Sequence, residues 1–234
     1  MIPKNKTDLL LFLFCTIIAI SILYFTLKYS AYGLDFTDEG FYLNWISNPY
    51  LYQTSISQFG FIYNPIYILA NENIIWLRKI NILFVYCLSF VLTFILISNI
   101  SNVEKLNIIK KILISIAIAS CSLNFIFIQT PSYNDLNFQG LLIVSIGILL
   151  IDNKNIFKNF LAHIILSFGV WITFLAKPSS FIGLIIMLLV YFIMTRNFQI
   201  RFILISITFF ILLLIMTALL IDQSIFLYIK RYMI

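Results

Sequence analysis

Residues 9–27 read LLLFLFCTIIAISILYFTL, 19 residues without a charge. At 1.5 Å of rise per residue such a run is roughly 28 Å long as a helix, close to the hydrocarbon thickness of a bilayer. A basic start, Lys4 and Lys6, precedes it. That order also suits a signal peptide, but the run is long enough to span by itself and no small-x-small cleavage site follows. Residues 9–27 are therefore read as a retained first transmembrane helix.

The same pattern recurs. Charge-free apolar runs at 80–100, 112–128, 136–151, 159–176, 178–195 and 202–221 bring the expected number of spans to about seven, the fourth being marginal in length. Residues 59–70 are apolar but short, and Pro65 falls inside them, so they are read as interfacial or re-entrant. Hydrophobic residues make up 62% of the 234 and charged residues 10%, with a mean hydropathy of +1.04. A water-soluble domain of this size cannot cover its surface with so little charge. The fold class is an all-α integral membrane protein, one membrane domain over 1–234, with membrane lipids as its solvent.

The net charge of +6 does not indicate nucleic acid, because no basic cluster is dense enough to follow a phosphate backbone. The charge divides by side instead. With the N-terminus inside and the spans alternating, the inside segments hold nine cations against three anions, and the outside segments six against six. That is the positive-inside pattern. Cys15, Cys87 and Cys121 sit in apolar runs without CxxC spacing and are read as small packing residues.

Polar chemistry gathers on the outside. The loop 28–79 is too long for a simple connection and too aromatic for disorder. It contains Asp35, Asp38 and Glu39 followed by Phe41, Tyr42, Trp45 and Ile46. One reading is an acid-capped helix from Thr37 to about Ser47 with its apolar face in the membrane interface. The other is a carboxylate cluster that binds a cation or acts as a base. Arg78 and Lys79 precede the second span, either snorkelling or holding a lipid-linked phosphate. Thr130, Ser132, Tyr133, Asn134, Asp135, Asn137 and Gln139 form either a plain turn or a set of partners for sugar hydroxyls or a phosphate. Lys177 sits in a connection almost too short to be a loop, a depth at which charge is costly and usually paired or functional. His163, four residues into the fifth run, is read as a packing histidine. There is no HExxH motif and no nucleotide-binding glycine loop.

With one span ahead of a long outside loop opening on Asp38-Glu39 and Tyr42, then Arg78, Ser132-Tyr133-Asn134 and Lys177-Pro178, the chain resembles the multi-spanning type-C glycosyltransferases. That group uses lipid-phosphate sugar donors and includes protein O-mannosyltransferases and the aminoarabinose transferase of lipid A. The resemblance implies a membrane glycosyltransferase of a bacterial inner or plasma membrane, its N-terminus cytoplasmic. It would invert the sugar it moves from a polyprenyl-phosphate donor to an acceptor on the extracytoplasmic face. Asp38 would be the base, Glu39 or Asp35 assisting. Arg78 and Lys177 would stabilise the departing phosphate, with Tyr42, Tyr133, Asn134 and Asp135 binding substrate. The resemblance fixes no cofactor and leaves a divalent cation open, since some relatives use one. Members of that group are commonly longer, which leaves room for a missing C-terminal half or a partner subunit. The competing reading is a non-catalytic transporter, flippase or assembly subunit; a transporter should place ionisable groups mid-membrane, where the spans here carry only His163.

Overall fold

The computed structural model describes residues 6–32, 38–52, 54–99, 108–123, 129–152, 155–195 and 199–232. Those residues form helices α1 (Lys6–Tyr29), α2 (Asp38–Ser47), α3 (Phe59–Leu69), α4 (Ile74–Asn99) and α5 (Ile108–Ser122). They continue with α6 (Tyr133–Leu150), α7 (Ile156–Ala176), α8 (Pro178–Thr195), α9 (Ile200–Asp222) and α10 (Ile225–Arg231). Six of them, α1, α4, α6, α7, α8 and α9, are long and apolar enough to cross a membrane. The protein is an integral membrane protein. α5 has only 15 residues, and the last five residues of the run 112–128 lie outside those described.

Helix limits follow local chemistry. Ser132 caps α6 through a reciprocal pair: its hydroxyl accepts from the Asp135 N–H, and its own N–H donates to the Asp135 carboxylate. The turn expected at 130–139 is therefore the start of a helix. α7 stops at Lys177, whose extended backbone suits the residue ahead of a proline, and Pro178 opens α8 where its missing N–H costs nothing. α3 runs straight through Pro65 rather than breaking there. One lost hydrogen bond is outweighed by the burial of Phe59 and Tyr63 earlier in the same helix.

The centre of the molecule is the α6–α7 pair. A Cβ on Gly169 would lie 2.7 Å from the Val144 nitrogen, and one on Gly147 would lie 2.8 Å from the Leu166 nitrogen. Only glycine lets the two backbones come this close, the small-residue contact that joins helices in lipid. Around the pair, α4 packs on α6 and α9 on α7; α5 packs on α4, and α1 leans on α5 through a hydrogen bond from the Ser120 hydroxyl to the Ala19 carbonyl, 3.1 Å. α1 and α8 turn most of their side chains outward.

α2 and α3 cover one end of this bundle. Tyr42, Trp45, Ile46, Phe59 and Tyr63 join Leu77 of α4, Leu136 of α6 and Ile172 of α7 in one buried cluster. The helix expected from Thr37 to about Ser47 is present as Asp38–Ser47, Thr37 lying outside the described residues. Of its apolar face, expected in the membrane interface, Tyr42, Trp45 and Ile46 are instead buried against protein, while Phe41 stays exposed. Three aromatic contacts within 6 Å, Tyr42–Phe59 and Trp45–Phe59 to α3 and Trp45–Tyr52 to the connection before it, explain why packing on protein wins over lipid.

Candidate functional site

Asp38 and Glu39 are adjacent, and 100° of helical rotation separates them. One therefore points out of the molecule and the other in. The inward one, Glu39, meets Arg78 of α4 at 2.8 Å, both side chains about 5% exposed or less. Thr130 closes the arrangement: its hydroxyl accepts from Arg78 Nε at 3.0 Å and donates to Glu39 Oε1, and its backbone N–H donates to the same oxygen at 3.2 Å. Arg78 Nη1 donates to the Ser30 carbonyl at 2.9 Å, which brings in the end of α1. A buried ion pair offsets its desolvation only when such additional bonds satisfy both charges. This one ties together α1, α2, α4 and the entry to α6.

Glu39 and Arg78 are therefore not where substrate-facing groups were expected. Their charges are spent on each other and on Thr130 below the surface. The cation site considered for Asp35, Asp38 and Glu39 is also rearranged: Glu39 faces inward, Asp38 faces outward, and Asp35 lies outside the described residues. Among the described residues no three His, Cys, Asp or Glu side chains converge as metal ligands.

A second layer lies above the pair. Asp38 is exposed at the start of α2, and Tyr42, one turn on, is buried beneath it. The Tyr42 ring meets Tyr133 edge-on, centroids 5.9 Å apart, and the ammonium of Lys177 stands 5.9 Å from the Tyr133 ring centroid. Burial, reinforced by Tyr133 and the Asp38 carboxylate, pushes the Tyr42 phenol up to about 12. Asn134 is exposed beside Tyr133, while Asp135 is buried and committed to the α6 cap. Of the residues singled out from sequence, exposed Asp38, Asn134 and Lys177 thus gather around Tyr133 and the buried Tyr42 beneath it. Such a surface offers a carboxylate to accept a proton, a cation for a developing negative charge, and stacking and hydrogen-bonding groups between them.

Two polar groupings were not anticipated. Arg231 of α10 is held by Asp222 at 2.5 and 2.6 Å, donates to the Tyr52 carbonyl, and packs over Phe61 at 5.4 Å. Nothing in the sequence pairs these positions. Tyr63, Asn81 and Gln139 meet beneath α3, the Gln139 amide donating to Asn81 Oδ1 at 2.7 Å. A sequence signal did exist here, since Asn81 and Gln139 interrupt otherwise apolar runs. His163 is a packing residue as expected: its Nδ1 meets the Ser206 hydroxyl at 2.9 Å, and its ring stacks between Phe192 and Phe202.

Comparison with protein-family models, with curated proteins and with solved structures finds no match to this chain.

Proposed function

We propose that this protein is a membrane glycosyltransferase that moves a sugar from a polyprenyl-phosphate donor to an acceptor at the extracytoplasmic face. The observation that carries the reading is the grouping of exposed Asp38 and Lys177 around Tyr42 and Tyr133 at one end of the bundle. Asp38 takes the acceptor's proton as its oxygen attacks the anomeric carbon and the donor phosphate leaves. Lys177 offsets the charge on that phosphate, an effect strengthened where water is scarce. Tyr133 and Asn134 bind the sugar. Arg78 acts from beneath, holding Glu39 and so the start of α2.

In this reading α5 is a further span, which makes seven. The N-terminus is cytoplasmic, supported by the nine inside cations against three anions and by six outside cations balanced by six anions. The site then faces away from the cytoplasm, where lipid-linked donors of this class are used.

The test is sugar transfer from a polyprenyl-phosphate sugar by the full chain in membrane vesicles. Asp38→Asn keeps size and polarity but removes the base, and activity should fall at least about a hundredfold with the amount of folded protein unchanged. Undiminished transfer in Asp38→Asn would remove the base from that position. Absence of transfer by the unaltered chain with every polyprenyl-phosphate sugar tried would end the reading.

A further inference from the structure

Beneath α3, between α4, α6 and α7, lies a cavity of about 190 Å³. Its walls are Ile62, Ile66, Ile80, Phe84, Ile143 and Ile172, and its polar spot is Tyr63, Asn81 and Gln139. Ile80 and Phe84 are well exposed on the flank of α4, so the cavity reaches the lipid-facing side of the molecule. Apolar cavities of about 150 Å³ stay dry and accept a small apolar guest. This one has room for a segment of hydrocarbon chain.

The polar spot is incompletely satisfied. Asn81 Oδ1 accepts from Gln139 Nε2 at 2.7 Å and from the Tyr63 hydroxyl at 3.4 Å. Gln139 Oε1 lies 3.2 Å from the same hydroxyl. Asn81 Nδ2, on a residue 2% exposed, has no partner. What is left over is therefore a donor, and a ligand that fits must bring an acceptor oxygen. A buried donor without a partner costs free energy that such an acceptor removes.

Charge and depth narrow the acceptor. No cation lines the cavity, and Asp135 is close enough to Tyr63 to act on it electrostatically, so an anionic group is disfavoured. Asn81 lies seven residues into α4 and Gln139 six into α6, about 9–10.5 Å below the helix ends at 1.5 Å per residue. The headgroup layer of one leaflet is roughly 5–8 Å thick. The triad thus sits at its hydrocarbon edge, the level of acyl ester carbonyls.

We infer that this cavity is a binding site for one acyl chain of a diacyl membrane lipid, whose ester carbonyl accepts a hydrogen bond from Asn81 Nδ2. The site is separate from the Asp38–Lys177 surface and does not depend on the chain's being a transferase.

The experiment is native mass spectrometry of the detergent-purified full chain titrated with dioleoyl phosphatidylglycerol or with its dioleyl ether analogue. The two share headgroup and chain length, but the ether lacks the carbonyl. The ester should bind about five- to tenfold more tightly, the size expected of one buried hydrogen bond. Asn81→Leu should reduce ester binding to the level of the ether, and Ile66→Trp, which fills the cavity, should weaken both. Equal affinity of the unaltered protein for ester and ether overturns the inference even if no variant folds. So does an Asn81→Leu protein that still prefers the ester, or an Ile66→Trp protein that binds both lipids as before.

Discussion

The two ends of the bundle hold their charges differently. At the α2 end, Glu39 and Arg78 are almost fully buried and share Thr130, and Arg78 also donates to the Ser30 carbonyl. At the opposite end the pair between Lys158 and Asp152 is longer, 3.4 Å, with side chains 47% and 32% exposed. A solvated pair of that kind contributes little, whereas a buried one commits the chain to a single arrangement. The α2 end is thus a built structure, with α2, α3 and α10 fixed onto the spans, and the opposite end is a set of helix termini joined by short basic connections. A surface that must hold an acid, an amine and two tyrosines in register belongs on the first kind of end.

Removing one partner of the buried pair tests this contrast most severely. Arg78→Met leaves Glu39 buried without its cation and should cost about 3–5 kcal/mol, read from unfolding in detergent. The double change Glu39→Gln with Arg78→Met should cost clearly less than Arg78→Met alone. Equal losses would mean that the charge is not what holds α2.

A smaller effect sharpens the upper layer. Tyr42 is neutral to about pH 12, above its ordinary value near 10. Its folded-state value is raised, so its contribution to stability is complete below pH 10 and is lost as pH climbs from 10 through 12. Asp38→Asn removes one of the charges responsible, and ultraviolet titration of the phenols should show Tyr42 ionising at lower pH. A Tyr42 titration unaffected by Asp38 would separate the acid from the tyrosines and weaken the composite surface. The smallest change is expected at the other end, where Lys158→Ala should alter stability by less than about 1 kcal/mol. A loss comparable to that of Arg78→Met would erase the distinction between the ends.

The spans were legible because a charge-free run of spanning length has few alternatives in a chain this apolar. Their edges were not. α4 begins at Ile74, six residues before the run expected from 80, because Arg78 is neutralised by Glu39 and Lys79 rests 5.0 Å over the Trp76 ring. Two charges that end a hydrophobic run on paper are absorbed inside a helix. In the same way Ser132 and Asp135, read as turn formers, cap the helix that follows. Asp38, Tyr42, Tyr133 and Lys177 could be singled out as unusual in type and place. Which of two adjacent acids turns inward depends on Arg78 and Thr130, 39 and 91 residues away along the chain, and no spacing rule reaches that far.

The glycine contact between α6 and α7 also bears on how the chain enters the bilayer during synthesis. α6 is the least apolar of the six long helices, and half of its residues are buried by protein. Alone in lipid it would leave the bare backbone at Gly140 and Gly147 facing hydrocarbon. α7 follows after only five residues and supplies the surface that covers them. We predict that the two helices insert as one hairpin, α6 being held at the insertion machinery until α7 emerges. Chains truncated before residue 156 should leave α6 poorly inserted in a glycosylation-mapping assay, and chains extended through Ala176 should insert it fully; equal insertion of both would mean that α6 enters unaided.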